Sequence, residues 1–265
     1  MSDRLLSHAL LWTIARRDGV TITLTGHDRD LHIGGVTYRA APGMTPAAIE
    51  RRDGLDPAAT DVRGALTADA ITEGDLLAGR WDGARVTVAM TDWSAPDTPA
   101  LLATGTIGAV EIDGSGFGAE LRGPAAALDR PVAEETSAEC RAVLGDRRCR
   151  VAMAGRRRFA RVVSADGGTL TLDTAEAVAV AYGGGTLHWF GGENTGLVSA
   201  VARSQGAVAM LRMPPPFVPR PGTLVELVEG CDKSIATCAG RFGNAANFRG
   251  EPYLPGIDLL TRYPG

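Results

Sequence analysis

Cysteine and aromatic residues are scarce in this chain, and long apolar runs are missing. Its 265 residues include four cysteines, and Phe, Trp and Tyr together make up 5%. With 34 glycines and 15 prolines beside so few aromatics, many short strands and turns are favoured over long helices. No apolar run approaches the roughly 18–20 residues that a membrane span requires. The formal net charge is −4, so there is no basic face to neutralise phosphates along a nucleic acid, only a local arginine cluster. Met1 to Arg16 carries Asp3 early and shows neither the apolar core nor the small-residue cleavage site of a secretory leader. Without export the cysteines start reduced, which favours a metal or cluster site over disulfides. Gly-x-Ser-x-Gly, His-Glu-x-x-His and Walker-type motifs are all missing, and the expectation is a protein that is not an enzyme.

What is present is alternation. Val20-Thr21-Ile22-Thr23-Leu24-Thr25 places an apolar residue at every second position, as a half-buried strand does. With Ala9–Ile14 before it and the turn signal Asp18-Gly19 between, the chain is expected to open as a hairpin. A second hairpin is expected over His32–Tyr38 about Gly34-Gly35, with further strands over Ala84–Met90, Leu102–Ile112 and Phe117–Leu121. From Pro42 to Gly64 the chain is turn-rich with little periodicity. Thr67–Ala78 is the best helix candidate of the first half, with Thr67 as cap, Ile71, Leu76 and Leu77 as its apolar side and Gly79 as stop. Pro124–Leu128 reads as a short helix before a boundary at Arg130-Pro131. Later strands are expected over Thr169–Leu172, Thr186–Phe190, Leu197–Ala202, Ala207–Met213 and Thr223–Val228. Pro214-Pro215-Pro216 is a stiff connector unfit for a central strand. The expected protein is mainly β, with two small barrel- or sandwich-like modules, a few short helices and an irregular cysteine-rich C-terminal region. Its segments would be an N-terminal β domain (1–135), a first-cysteine-pair segment (136–150), an inserted β module (151–229) and a Cys/Asn-rich end (230–265).

The cysteines form two local pairs, Cys140-x8-Cys149 and Cys231-x6-Cys238. Buried structural thiols are one reading, and two disulfides in one of three connectivities are another. The third is a four-thiolate metal centre. Zinc knuckles use C-x2–4-C spacing, so these wider gaps better suit a larger object such as a cubane iron–sulfur cluster held by loops; zinc is the alternative. A cluster held by four thiolates carries net negative charge, and cations stand near both pairs. Arg141, Arg147, Arg148, Arg150 and Arg156-Arg157-Arg158 accompany the first, and Lys233 and Arg241 flank the second. Of these Arg148, Arg150, Lys233 and Arg241 are the candidates for supporting a cluster, against the plainer reading of a solvated charged face. Backbone N–H groups of Gly230, Gly240 and Gly243 are candidate donors to sulfur. Elsewhere, His27-Asp28-Arg29-Asp30 reads as a turn with an ion pair to Arg29, His188 as packed, and Gly183-Gly184-Gly185 as a flexible turn. Asn244 and Asn247 read as partners for loop backbone.

The run Gly230-Cys231-Asp232-Lys233, Cys238, Phe242-x-Asn244-x-x-Asn247-Phe248-Arg249-Gly250, followed by Pro252 and Pro255-Gly256, resembles the C-terminal domain of tail-tip (hub) proteins of siphophages and of phage-like gene transfer agents. Arg17-Asp18-Gly19, His27 to Leu31, Gly108, Glu120-Leu121-Arg122-Gly123 and Cys140 to Cys149 agree with it, so the resemblance spans nearly the whole chain. It implies a non-enzymatic scaffold. In members from lambda-like phages, x8 and x6 cysteine pairs ligate a 4Fe–4S cluster. Carried over, the ligands are Cys140, Cys149, Cys231 and Cys238, although the insert between the pairs is longer here. The resemblance further implies a ring, a homotrimer, at the virion tail tip, assembled in the host bacterial cytoplasm. Such a ring sits below the distal tail protein, holds the central spike or fibre protein, and leaves a channel for DNA and the tape measure without specific DNA contacts. The readings from other classes are an iron–sulfur electron-transfer or redox protein and a zinc-stabilised protein-binding module.

Overall fold

The structure, a computed structural model, describes residues 7–41, 45–46, 59–65, 71–95, 98–113, 116–123, 126 and 133–253. It is mainly β, and the chain divides into two compact units, 1–132 and 133–265. Residues 136–150, with the first cysteine pair, therefore belong to the same unit as the second pair.

The first unit opens with β1 (His8–Ala15) and β2 (Thr21–Thr25), joined by the expected turn, where Gly19 has φ +93°. Next come β3 (Leu31–Ile33) and β4 (Val36–Ala40), whose link Gly34-Gly35 has positive φ at both residues, as a two-residue hairpin turn requires. They are followed by β5 (Thr45–Pro46), β6 (Ala59–Ala65), β7 (Arg85–Asp92), β8 (Ala100–Asp113) and β9 (Gly116–Arg122). All nine form one sheet in the order β3-β4-β2-β1-β7-β8-β9-β6-β5. Trp12 lies opposite Leu24 on one side and Val88 on the other, and Ile14 opposite Ile22 and Val86. Directly paired residues share a face, and that face buries Trp12, Ile14, Leu24, Val86 and Val88 with Phe117 and Leu121.

β6 is a strand in a region where periodicity suggests none. It is held by seven consecutive pairs with β9, from Ala59↔Arg122 to Ala65↔Gly116, so its partner defines it more than its own composition. The helix α1 (Glu73–Leu77) is shorter than expected and is capped by Thr72, whose hydroxyl accepts from the Asp75 N–H at 3.1 Å. Thr67 lies outside the described residues. Ile71 and Leu76 are buried as foreseen, whereas Leu77 is 71% exposed. Gly79 ends the helix at φ +69°. The expected helix over Pro124–Leu128 falls almost wholly outside the described residues. The His27 segment is a turn: His27 Nδ1 accepts from the Arg29 N–H at 3.1 Å, and Asp30 accepts from the Ala40 N–H at 2.8 Å.

The second unit contains a closed six-stranded barrel. Its strands are β10 (Arg157–Asp166), β11 (Thr169–Leu172), β12 (Thr186–Trp189), β13 (Val198–Gln205), β14 (Val208–Leu211) and β15 (Leu224–Val228), in the order β10-β11-β14-β13-β12-β15. Alternate residues point inward, and Ala160, Val162, Leu170, Leu187, Trp189, Val201, Leu211, Val225 and Leu227 fill the core. The arginine cluster that follows the first cysteine pair turns out to start β10. Arg158 donates to the Ala175 carbonyl at 3.2 Å and Arg157 stands 3.7 Å from Glu226, so both decorate the barrel wall. His188 also differs from expectation: with Leu187 and Trp189 facing inward, alternation turns it outward, its side chain 36% exposed. After the barrel comes α2 (Ile235–Gly240), capped by Ser234, whose hydroxyl accepts from the Thr237 N–H at 3.1 Å.

Candidate metal centre

All four cysteines are free thiols, and all four line one small cavity of the second unit. Barrel closure explains how distant pairs meet. β10 and β15 are neighbours, with Arg157 opposite Val228, so the chain enters the barrel just after Cys149 and leaves it just before Cys231 at the same place. Ala142, Leu144, Val151 and Phe242 supply apolar wall and Lys233 a cation. Cys149 and Cys238 are buried, Cys140 and Cys231 half-buried.

The two pairs are stitched together by backbone. Lys233 adopts φ +64°, uncommon for a residue with a side chain. In that conformation its N–H points at Cys231 Sγ (3.4 Å), its carbonyl accepts from the Cys140 N–H (2.9 Å), and its ammonium reaches the Ala142 carbonyl. The Arg249 N–H points at Cys140 Sγ (3.4 Å), and the Arg249 carbonyl accepts from the Arg141 N–H (3.0 Å). Asn244 donates to the Cys149 carbonyl at 2.6 Å and stands 3.7 Å from its sulfur, and Asn247 in turn donates to Asn244. Both asparagines thus serve loop groups as expected. The sulfur-directed donors differ from those expected: they are the N–H groups of Lys233 and Arg249, while Gly230 donates to Ala181 and Gly243 to Ala239. Sequence offers no signal for Arg249 or for the left-handed Lys233.

Of the four candidate supporting cations, Lys233 alone lines the cavity. Arg148 pairs with Glu134. Arg150 is exposed, with φ +63°, and reaches the Arg147 carbonyl. Arg241 pairs with Glu229 at 2.7 Å, as Arg156 does, and both guanidinium groups sit over the Phe242 ring. These arginines brace loops around the site. The two-pronged bond from Arg141 to Glu251, at 2.7 and 2.9 Å, does the same.

The triple glycine lies at a turn, as expected, but Gly184 and Gly185 are packed against backbone rather than free. A Cβ on Gly185 would stand 2.2 Å from the Val228 carbonyl oxygen, one on Gly184 would stand 2.7 Å from that of Cys231, and one on Gly230 would stand 2.1 Å from Gly185 N. Two backbone segments are pressed together, fixing Cys231 against the barrel.

Electrostatically the site resists charge. Burial pushes the Cys231 thiol up, partly offset by Lys233, and burial with the three neighbouring cysteines raises Cys238. Buried thiols clustered in this way are poor anions until a cation compensates them, and they are soft-metal donors once it does. As the side chains stand, no three Cys, His, Asp or Glu residues among those described converge on a single ion-sized point.

The fold and site define a mainly β protein with four free thiols around one cavity. Residues 1–152 match the family described as baseplate hub protein, N-terminal attachment domain, and residues 180–258 match the family described as phage conserved hypothetical protein BR0599. The chain belongs to the baseplate hub protein family. A chain from the virion of a native gene transfer agent particle superposes with a TM-score of 0.85 at 36% identity, over 97% of this chain and 91% of that one. No curated protein matches by sequence.

Proposed function

We propose that this chain is the hub of a siphophage-like or gene-transfer-agent tail tip, and that Cys140, Cys149, Cys231 and Cys238 hold a 4Fe–4S cluster that cross-links its second unit. The observation that carries the reading is the shared cavity: four free thiols from two distant segments, with backbone N–H groups aimed at two of the sulfurs. Such donors stabilise the charge of metal-bound thiolates. A single tetrahedral zinc, with Zn–S near 2.3 Å, needs its sulfurs only about 3.8 Å apart. Thiols spread around a cavity suit a polynuclear group better. The cluster would act as a structural clamp rather than an electron carrier.

In this reading the hub is a homotrimeric ring in the virion tail, assembled in the host cytoplasm. It joins the distal tail protein to the central spike or fibre protein and leaves passage for the tape measure and for DNA that it does not bind specifically. The similarity to a chain of a gene transfer agent virion supports the location. Protein purified without oxygen should be brown, with iron and acid-labile sulfide in equal amounts. A colourless protein with one zinc, or with no metal, overturns the cluster, and a monomeric mass overturns the ring. A reversible reduction at physiological potential with an electron-transfer partner would favour the redox reading instead.

A further inference from the structure

Between Leu211, the last residue of β14, and Leu224, the first of β15, runs Arg212-Met213-Pro214-Pro215-Pro216-Phe217-Val218-Pro219-Arg220-Pro221-Gly222-Thr223. Proline fixes its own φ and keeps the residue before it out of the helical region, so most of this segment has little freedom to lose. The rest is fastened. Asn194, 2% exposed, grips Phe217 from both sides, donating to its carbonyl at 2.6 Å and accepting its N–H at 3.2 Å. Thr223 donates its hydroxyl to the Arg220 carbonyl at 2.7 Å, and Arg161 donates to that of Gly222 at 3.0 Å. Pro219 is buried.

Against this rigidity, Met213 is 76% and Val218 83% exposed. Neither contributes to the barrel core, so the folding of the unit does not account for them. Arg212 and Arg220 are exposed beside them, and no carboxylate occurs between Gly206 and Val225.

We infer that residues 212–221 form a preorganised docking segment for a different protein of the tail, one presenting an apolar or aromatic groove with an acidic rim. Rigid proline-rich segments dock into such grooves at low entropic cost. Charge disfavours the aromatic face of this barrel, in a second copy, as the occupant. The exposed aromatic pair on this barrel, Phe159 and Phe190 with ring centroids 5.6 Å apart, lies beside Arg157 and Arg161 on β10, which would repel Arg212 and Arg220. The inference rests on the hub reading but not on the cluster.

The test compares purified chain with assembled particles. Hydroxyl-radical labelling of Met213 should fall about tenfold or more in particles, the protection expected of a buried contact. A photo-crosslinking residue at Val218 should join this chain to another tail protein, at a surface carrying Asp or Glu. The double variant Met213→Asp/Val218→Asp should fold as wild type, with an unchanged melting temperature, yet give particles lacking that protein. Equal labelling of Met213 in chain and particle, crosslinks to a second copy alone, or complete particles from the double variant would each overturn the docking segment while leaving the hub reading intact. If the chain is not found in particles at all, the hub reading fails and the segment's role fails with it.

Discussion

Gly230→Ala is the sharpest probe of how the cysteine site is built. An added Cβ would lie 2.1 Å from Gly185 N, 2.2 Å from the Gly183 oxygen and 2.4 Å from the Gly184 carbonyl carbon. Carbon contacts normally settle at about 3.5–4.0 Å, so the two segments must part by about 1.4 Å, and all three obstacles are backbone that cannot rotate away. Overpacking typically costs about 1–3 kcal/mol, and backbone obstacles place this case at the upper end. Parting the segments also breaks the bond from Gly230 N to the Ala181 carbonyl (3.0 Å) and the one from Arg241 to the Gly230 carbonyl (3.3 Å), worth about 1 kcal/mol each. The expected loss is about 5 kcal/mol, enough to move Cys231 off its seat and a large share of the roughly 5–15 kcal/mol that holds a domain folded. Fluorotryptophan labelling suits the assay, because Trp189 is the one tryptophan of residues 133–265 and gives its own 19F resonance during urea titration. Gly240→Ala is the control: it ends α2 with nothing within 4 Å of a Cβ and should gain about 0.5–1 kcal/mol. A Gly230→Ala protein within about 0.5 kcal/mol of wild type, with full metal content, would refute the interlock.

Cys238→Ser should abolish iron binding. Cross-linking Cys149 to Cys231 is worth about 4–5 kcal/mol in a loop-entropy picture if the whole unit unfolds together, but about 3 kcal/mol if the barrel stays closed and only the short connections are freed. The urea midpoint distinguishes the two, and unchanged iron and stability in all four Cys→Ser variants would end the clamp reading. Burial works to raise the Glu176 carboxyl, but bonds from Ser204 and from the N–H groups of Val180, Gly206 and Ala181 outweigh it and hold the group below its ordinary 4.5. Its stabilising contribution is therefore present above pH 4.5 and is lost as pH falls through the lower folded value, so Glu176→Gln should flatten the decline of the second unit's melting temperature below that pH. An equally steep decline in the variant would refute this. Arg141→Lys cannot reproduce the two-pronged bond to Glu251, whose carboxyl that bond holds down at about 2. Amide exchange at Ser137 to Arg141 should speed up in that variant with the barrel amides unchanged, and unaltered exchange would mean the bond does not order the segment.

Strands with their own alternation were legible: β2, β7, β11 and β12 follow from apolar residues at every second position, and Asp18-Gly19 and Gly34-Gly35 mark the turns into β2 and β4. The less legible strands lack an independent pattern. β6 is recruited by β9, and the outward positions of β10 carry Arg157, Phe159 and Arg161 while Ala160 and Val162 face inward, so its start reads as a charge cluster. The four thiols were visible because the chain has no others. Their donors were not, since which N–H faces a sulfur depends on the left-handed turn at Lys233 and on Arg249 returning beside Cys140, both set by tertiary contacts. The same limit hid the role of Gly184 and Gly185: sequence shows that these residues can be flexible, and only the approach of Val228 to Cys231 shows that backbone leaves no room for a side chain there.

The long stretch between the cysteine pairs looks, in sequence, like an obstacle to a shared site. Barrel topology removes the obstacle. A closed antiparallel barrel whose first and last strands are neighbours returns the chain to where it entered, so the distance from Cys149 to Cys231 is set by the register Arg157↔Val228 and not by the residues spent in between. Strands or loops on the far side of such a barrel can lengthen without moving either pair. What cannot change is the junction, where Arg156 and Arg241 share Glu229, Gly230 is wedged against Gly185, and Lys233 ties Cys231 to Cys140. These contacts tie the two pairs to each other through the polypeptide itself, so a cluster held by the four thiols would add to a connection that backbone and ion pairs also make.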